Sequence, residues 1–359
     1  MSTCPGFFAA SSSQRCRSGL AKVSAVVVMA LVGAGIFAGG LGAQLPLAHV
    51  SSANHALGKH LAAYQALQDG RVEDAGALLQ AAITVDSKDS LAHQLLCRVS
   101  YAQDDDDSAI RECELAASTP AANNEQASDN HLWLGRAYGL KASHAGPIAG
   151  FKLARKVQSS FARAVELNPS SVAALNDLGE YYVDAPFIVG GGIDKAQALA
   201  SRMLPRFPGA AHLLLARIAQ SNNDQTAAEA EFKQEVALQK TPEAWIDLAH
   251  FYQTHGRPDD AVAAIKSGLA VDRTHGPALV DAASILTAAH RDPSLAEHCL
   301  REYLSSRAKS DAAPAFKVHL QLAKLFAARG NTQEADRETE AAAALAPMFT
   351  RRSKSSRGL

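Results

Sequence analysis

Three consecutive glycines, Gly190, Gly191 and Gly192, stand shortly before Lys195, and backbone amides converging with a lysine can cradle a phosphate. That chemistry needs Gly-x-x-x-x-Gly-Lys-Ser/Thr directly after a strand. Neither the spacing nor a strand-like run is present, and a turn between two helices accounts for the glycines. The run Asp104, Asp105, Asp106, Asp107 could draw in a cation. A calcium loop alternates its ligands, carries a glycine at its sixth position and ends in glutamate, and this run does not. It reads as a solvated turn whose acids favour the start of the next helix. The histidine pairs His55 and His60, His250 and His255, His290 and His298 lack the spacing and acid partner of a metalloprotease. No Gly-x-Ser-x-Gly elbow appears, and no cysteine lies beside a histidine in a way the sequence can expose as a nucleophile pair. The expectation is a chain without catalytic residues, cofactor or metal.

Of five cysteines, Cys4 and Cys16 precede an apolar run, leaving Cys97, Cys113 and Cys299, an odd number without metal-ligand spacing. Cys97 and Cys113 fall on two successive helices, about equally far from the turn at Asp104–Asp107. Burial of each as a small apolar side chain is the favoured reading. A disulfide is the alternative, because an antiparallel pair brings them to similar height.

Arg15, Arg17 and Lys22, with no acid among the first 43 residues, precede an uncharged stretch from Val23 to about Leu47 that ends in small residues. Basic, then apolar, then small is the layout of a secretory signal, and the run is also long enough to cross a bilayer once. Residues 1–47 are therefore expected to act as a signal peptide or an N-terminal membrane anchor. Either way the remaining chain lies outside the cytoplasm, periplasmic or anchored in the inner membrane. Beyond that segment 32 basic residues face 36 acidic ones, a mildly acidic balance that argues against a nucleic-acid partner.

What must position these residues is helical. Alanine is abundant and aromatics make up only 6% of the chain, a composition that favours close-packed helices. Residues 242–275 read PEAWIDLAHFYQTHGRPDDAVAAIKSGLAVDRTH. Trp245, Leu248, Ala249 and Tyr252 mark one helix face, Gly256 a turn, and Ala261, Ile265 and Gly268 a second face. Leu322, Ala323, Phe326, Gly330, Ala335, Ala342 and Pro347 repeat the pattern. So do Leu134, Gly135, Tyr138, Phe161, Ala164 and Pro169, then Leu178, Gly179, Tyr182, Ala196, Ala200 and Pro208. A helical hairpin recurring about every 34 residues resembles the tetratricopeptide repeat (TPR). The resemblance implies an all-α, right-handed TPR superhelix, a solenoid of about eight helix-turn-helix repeats over residues 51–349, with a basic, disordered tail at 350–359. The segment FARAVELNPSSVAALNDLGEYYVDAPFIVGGGIDKA is similar to a pattern in bacterial exported TPR proteins of unassigned activity.

Two repeats exceed the template between their own helices, near 139–151 and 183–195, and both excesses fall on the same edge. Insertions on one face of an array often mark a binding face. The residues expected to meet a partner are Arg136, Asn176, Glu180, His250, Lys317 and Lys324 on the inner face, and Tyr181, Tyr182, Phe187 and Ile188 on the inserted edge. The competing reading of that edge is that the two insertions pack on one another and on Phe151. Glu243, Asp281 and Ser284 also belong to an inner face that is acidic in the middle and basic near the C-terminus. The implied function is a protein-binding scaffold or assembly factor of the cell envelope. An accessory that binds or exports an envelope polymer is the alternative, and a hydrolase using Glu180 or Asp281 a third.

Overall fold

The computed structural model describes residues 58–355; the segment 1–47 and the last four residues of the tail lie outside the described residues. A 3-10 turn at Gly58–His60 leads into seventeen α-helices, with no strand among the described residues. They form eight antiparallel pairs: α1 (Leu61–Gln68) with α2 (Val72–Val85), α3 (Ser90–Ala102) with α4 (Asp106–Ser118), α5 (Asn124–His144) with α6 (Pro147–Leu167), and α7 (Val172–Asp184) with α8 (Ile193–Met203). There follow α9 (Pro208–Ser221) with α10 (Gln225–Gln239), α11 (Pro242–Thr254) with α12 (Pro258–Val271), α13 (Ala278–Ala288) with α14 (Pro293–Ser305), and α15 (Ala315–Ala328) with α16 (Thr332–Leu345). A final α17 (Pro347–Ser355) caps the array. The all-α solenoid of eight repeats read from the sequence is the observed architecture.

The helices start where a short polar side chain can take up an orphan backbone N–H. Asp89 accepts from Ala92 at 3.0 Å, Asp224 from Ala227 at 3.0 Å and Asn331 from Glu334 at 3.3 Å. The acidic run is used in the same way: Asp105 accepts from the N–H of Ser108, and Asp106 and Asp107 fill the first turn of α4. Small residues sit where paired helices cross. At Gly135 a Cβ would lie 2.4 Å from the Phe161 ring, so the aromatic of α6 occupies the space a side chain on α5 would need.

The insertion near 139–151 is not a loop. Both α5 and α6 run for 21 residues, against 11–15 in the later pairs, so the extra chain continues each helix before Ala145 and Gly146 turn it back. Its residues lack a mid-segment breaker until Gly146-Pro147, and proline is well placed at a helix start. The tail is also corrected in part: residues through Ser355 belong to α17, because Phe349 packs edge-on against Phe316 with ring centroids 4.9 Å apart.

The array returns on itself. Phe316, Ala342 and Ala346 of the last repeat share one apolar cluster with Leu67, Leu79, Leu95 and Val99 of the first two. Gly70, at φ +77°, lies so close to α15 that a Cβ would stand 2.8 Å from the amide of Ala315. Asp104 pairs with Lys317 at 2.7 Å, and Glu73 accepts from the N–H of Met348 at 3.1 Å.

Candidate functional site

Polar side chains link the first helices of successive repeats, Arg136 to Asp177, Arg217 to Glu180 and Gln321 to Ser284, and so form one polar inner wall. Its basic part centres on Trp133 of α5, which has Arg98 on one side at 5.0 Å from the ring centroid and Arg136 at 4.9 Å. Such cation–π contacts hold guanidinium planes in place. Arg98 also donates twice to Asp311, at 2.7 and 2.8 Å, and Arg136 donates to Asp177 at 2.7 and 3.3 Å. Burial acts to raise the Asp311 carboxyl, but the charge and hydrogen bonds of Arg98 outweigh it and leave the group below its usual value. In the next repeats Arg217 of α9 donates to Glu180 of α7 at 3.1 Å.

Further along the wall the acids lose their partners. Asp247 of α11 and Asp281 of α13 have no ion pair among the described residues. Burial, then mutual repulsion among carboxylates, raises Asp281 to about 7; burial raises Asp247 to about 6 despite Arg217. Glu180 reaches about 7, again mainly through burial, with Arg217 opposing. Behind this arc Glu235 of α10 is buried, one of its oxygens has no hydrogen-bond partner, and burial with the neighbouring Asp247 charge keeps it protonated well above the carboxylate range. The wall is thus acidic from α7 to α13. Its chemistry is that of a polar groove attractive to cations, and no group of three or more metal-ligating side chains occurs among the described residues.

The expected site residues divide. Arg136, Glu180, His250 and Lys317 lie on the inner wall, Arg136 and Glu180 tied into the pairs above and Lys317 committed to Asp104. Asn176 is half-buried and Lys324 exposed. On the inserted edge the aromatic pair separates. Tyr181 is buried, its hydroxyl 2.8 Å from the carbonyls of both Ala154 and Val189, so it fastens the second insertion to α6 and presents no anchor. Tyr182 is half-buried, while Phe187 and Ile188, in a 3-10 turn at Phe187–Val189, are exposed. The glycines serve this turn: a Cβ on Gly191 would overlap the carbonyl oxygen of Ala185, and the N–H of Gly192 donates to Tyr182 at 2.8 Å. Lys195 donates to the carbonyl of Gly190 at 2.7 Å, which closes the turn instead of binding phosphate.

Sequence reasoning missed Arg98, Trp133, Asp177, Arg217, Asp247 and Asp311. It also missed a recurring buried or half-buried link between the helices of three repeats: His93 to Glu112 at 2.9 Å, His212 to Glu231 at 2.5 Å and His319 to Glu338 at 2.6 Å. The signal was available, since each pair is separated by nineteen residues. Cys97 and Cys113 are joined by a disulfide with Cα atoms 5.2 Å apart, which corrects the reading of two unlinked core residues; Cys299 is free and buried. The bridge forms where α3 and α4 cross, the place in a helical hairpin where small residues let backbones approach within disulfide reach.

A family model, the middle TPR-like domain of cilia and flagella-associated protein 70, matches residues 212–346. No curated protein matches the chain. Among solved structures, a thermophilic TPR protein of Thermus thermophilus is similar at 22% identity, over 55% of this chain and 99% of that one, with a TM-score of 0.40. A TPR protein of Parabacteroides merdae is similar at 16% identity, over 72% of this chain and 94% of that one, with a TM-score of 0.42. The C-terminal part of a TPR repeat-containing protein of Cytophaga hutchinsonii shows 12% identity, over 80% and 96%, with a TM-score of 0.39. Residues 212–346 thus match a TPR-like family model, and the eight helical hairpins show the fold of a helical-repeat solenoid along the described residues.

Proposed function

We propose that the chain is a non-catalytic scaffold of the cell envelope, whose inner wall holds a lysine- or arginine-rich segment of a partner protein. TPR folds generally mediate contacts between proteins. The observation that carries the choice of partner is the uncompensated acidic arc at Asp247 and Asp281, set beside a basic sector whose arginines are already paired. Charge complementarity of this kind sets orientation and partner choice more than raw affinity. The envelope assignment is supported by the basic-then-apolar pattern of residues 1–47 and by the Cys97–Cys113 bridge, which suits an oxidising compartment. The test is titration of the protein with fluorescent peptides of equal length, one rich in lysine and arginine, one rich in glutamate. Binding of the basic peptide that drops at least about tenfold, or ~1.4 kcal/mol, in Asp247→Asn/Asp281→Asn supports the reading. Equal binding of both peptides, or an unaffected variant that keeps its helical signal, overturns it.

A further inference from the structure

The edge built by the two insertions has a composition unlike the rest of the chain. From Asn130 to Val165 there is no acidic residue, while Arg136, Lys141, Lys152, Arg155, Lys156 and Arg163 are all present, in a protein that is acidic beyond its N-terminal segment. This stretch is the α5–α6 hairpin, and the lengthened helices carry its tip beyond the turns of neighbouring repeats by about two helical turns, roughly 10 Å.

Large apolar side chains crowd this cationic edge. Ile148 is 81% exposed, Phe187 80% and Ile188 63%. They lie together: Arg155 donates to the carbonyl of Ile188 at 3.2 Å and stacks over Phe151 at 5.2 Å, and Ile148 is seven residues before Arg155, two turns along the same face of α6. Lys195 reaches toward the rings of Tyr182 and Phe187 at 5.7 and 6.0 Å. Lys152, Arg155 and Lys195 have no carboxylate partner among the described residues; Lys141 and Lys156 are paired, with Asp107 and Glu114, and Asp184 and Asp194 are the acids that bracket the turn in sequence.

We infer that this edge docks on an anionic lipid surface, with Ile148, Phe187 and Ile188 entering the interfacial layer and Lys152, Arg155 and Lys195 facing the lipid phosphates. The apolar groups stand exposed on a lengthened hairpin and a short turn, and exposed apolar side chains with a cationic rim are what inserts into a charged interface. This goes beyond the binding role of the inner wall and stands or falls independently of it.

The experiment uses the full chain with Phe187→Trp, bound to vesicles of phosphatidylcholine alone or mixed with phosphatidylglycerol, with brominated acyl chains as quencher. Any membrane tether supplied by the N-terminal segment is then common to every sample, and the new indole reports whether the edge itself enters the lipid. The expected result is a blue-shifted, quenched indole on the anionic vesicles, at least about threefold more quenched than on neutral ones, and loss of that difference in Lys152→Glu/Arg155→Glu/Lys195→Glu. A solvent-exposed, unquenched indole on both vesicles overturns the inference, as does equal quenching on both. So does an indole that shifts only when a protein partner is added, which would make the edge a protein contact.

Discussion

Asp311, in the segment joining α14 to α15, accepts two hydrogen bonds from Arg98, 213 residues earlier in the chain on α3. Gln68 of α1 donates to the same carboxylate at 3.1 Å. A solenoid repeat ordinarily touches only its neighbours, so this buried cluster is where eight local hairpins become one closed object. Closure also bounds the inner wall, because first and last repeats together complete it.

Asp311→Ala should therefore cost about 3–5 kcal/mol in denaturant unfolding, the usual penalty for stranding a buried charge. The loss should appear as opening as well as destabilisation: small-angle scattering should show a larger radius of gyration while helical content is kept. Since Asp311 is held below its ordinary pKa, its contribution is present above the unfolded value near 3.9 and disappears as pH falls through the folded one. An unchanged radius and midpoint in the variant would mean that the apolar contacts around Phe316 close the array alone.

Gly70→Ala tests the same closure without touching charge. The substitution meets a positive φ and an amide 2.8 Å from the new Cβ, so α15 must move away. A loss of about 1–3 kcal/mol is expected, and adding it to Asp311→Ala should give less than the sum, because both act on one contact. Full additivity would separate the two sites.

The Cys97–Cys113 bridge closes a short loop of sixteen residues, and Cys97→Ala/Cys113→Ala should lose about 3 kcal/mol of stability. Thiol titration of unfolded, unreduced protein should find Cys4, Cys16 and Cys299 in the whole chain, and Cys299 alone if the N-terminal segment has been removed. Two additional thiols in either form would show that the bridge does not form in the cell.

The repeats were legible because TPR packing writes itself into local sequence: Leu134-Gly135, Leu178-Gly179 and Leu248-Ala249 recur at one register. The inner wall follows from that register, since Arg98, Arg136, Glu180, Arg217 and His250 each come directly after the small residue of a first helix. Arg98 and Arg217 went unread because their repeats, Ser90–Pro120 and Ala211–Lys240, are weaker copies of the pattern. Closure was not legible at all. Nothing local to Asp311 signals a partner 213 residues away, and the total curvature of eight repeats depends on packing angles too small to be read residue by residue. The excess at 139–151 was legible as extra length but not as helix, although its alanines and long side chains favour continuing the helices.

The acidic arc makes a prediction about pH with a definite sign. Burial and the charges of Asp247 and Glu243 hold Asp281 at about 7 in the folded protein, whereas an unfolded aspartate titrates near 3.9. Between those values the folded state binds the extra proton, so stability falls as pH rises from about 4 to 7 and levels off above. Asp281→Asn removes the titration: it should raise stability at pH 8 by ~1–2 kcal/mol, after allowance for solvent screening in a half-open groove, and flatten the slope below pH 7. The same substitution should weaken binding of a basic peptide, and in the parent protein that binding should fade as the pH drops below about 6, where Asp247 also protonates. Stability and binding then respond to one residue in opposite directions, as expected where burying charge serves recognition at the expense of the fold. A variant that gained stability yet kept full affinity for the basic peptide would move the binding surface away from this arc.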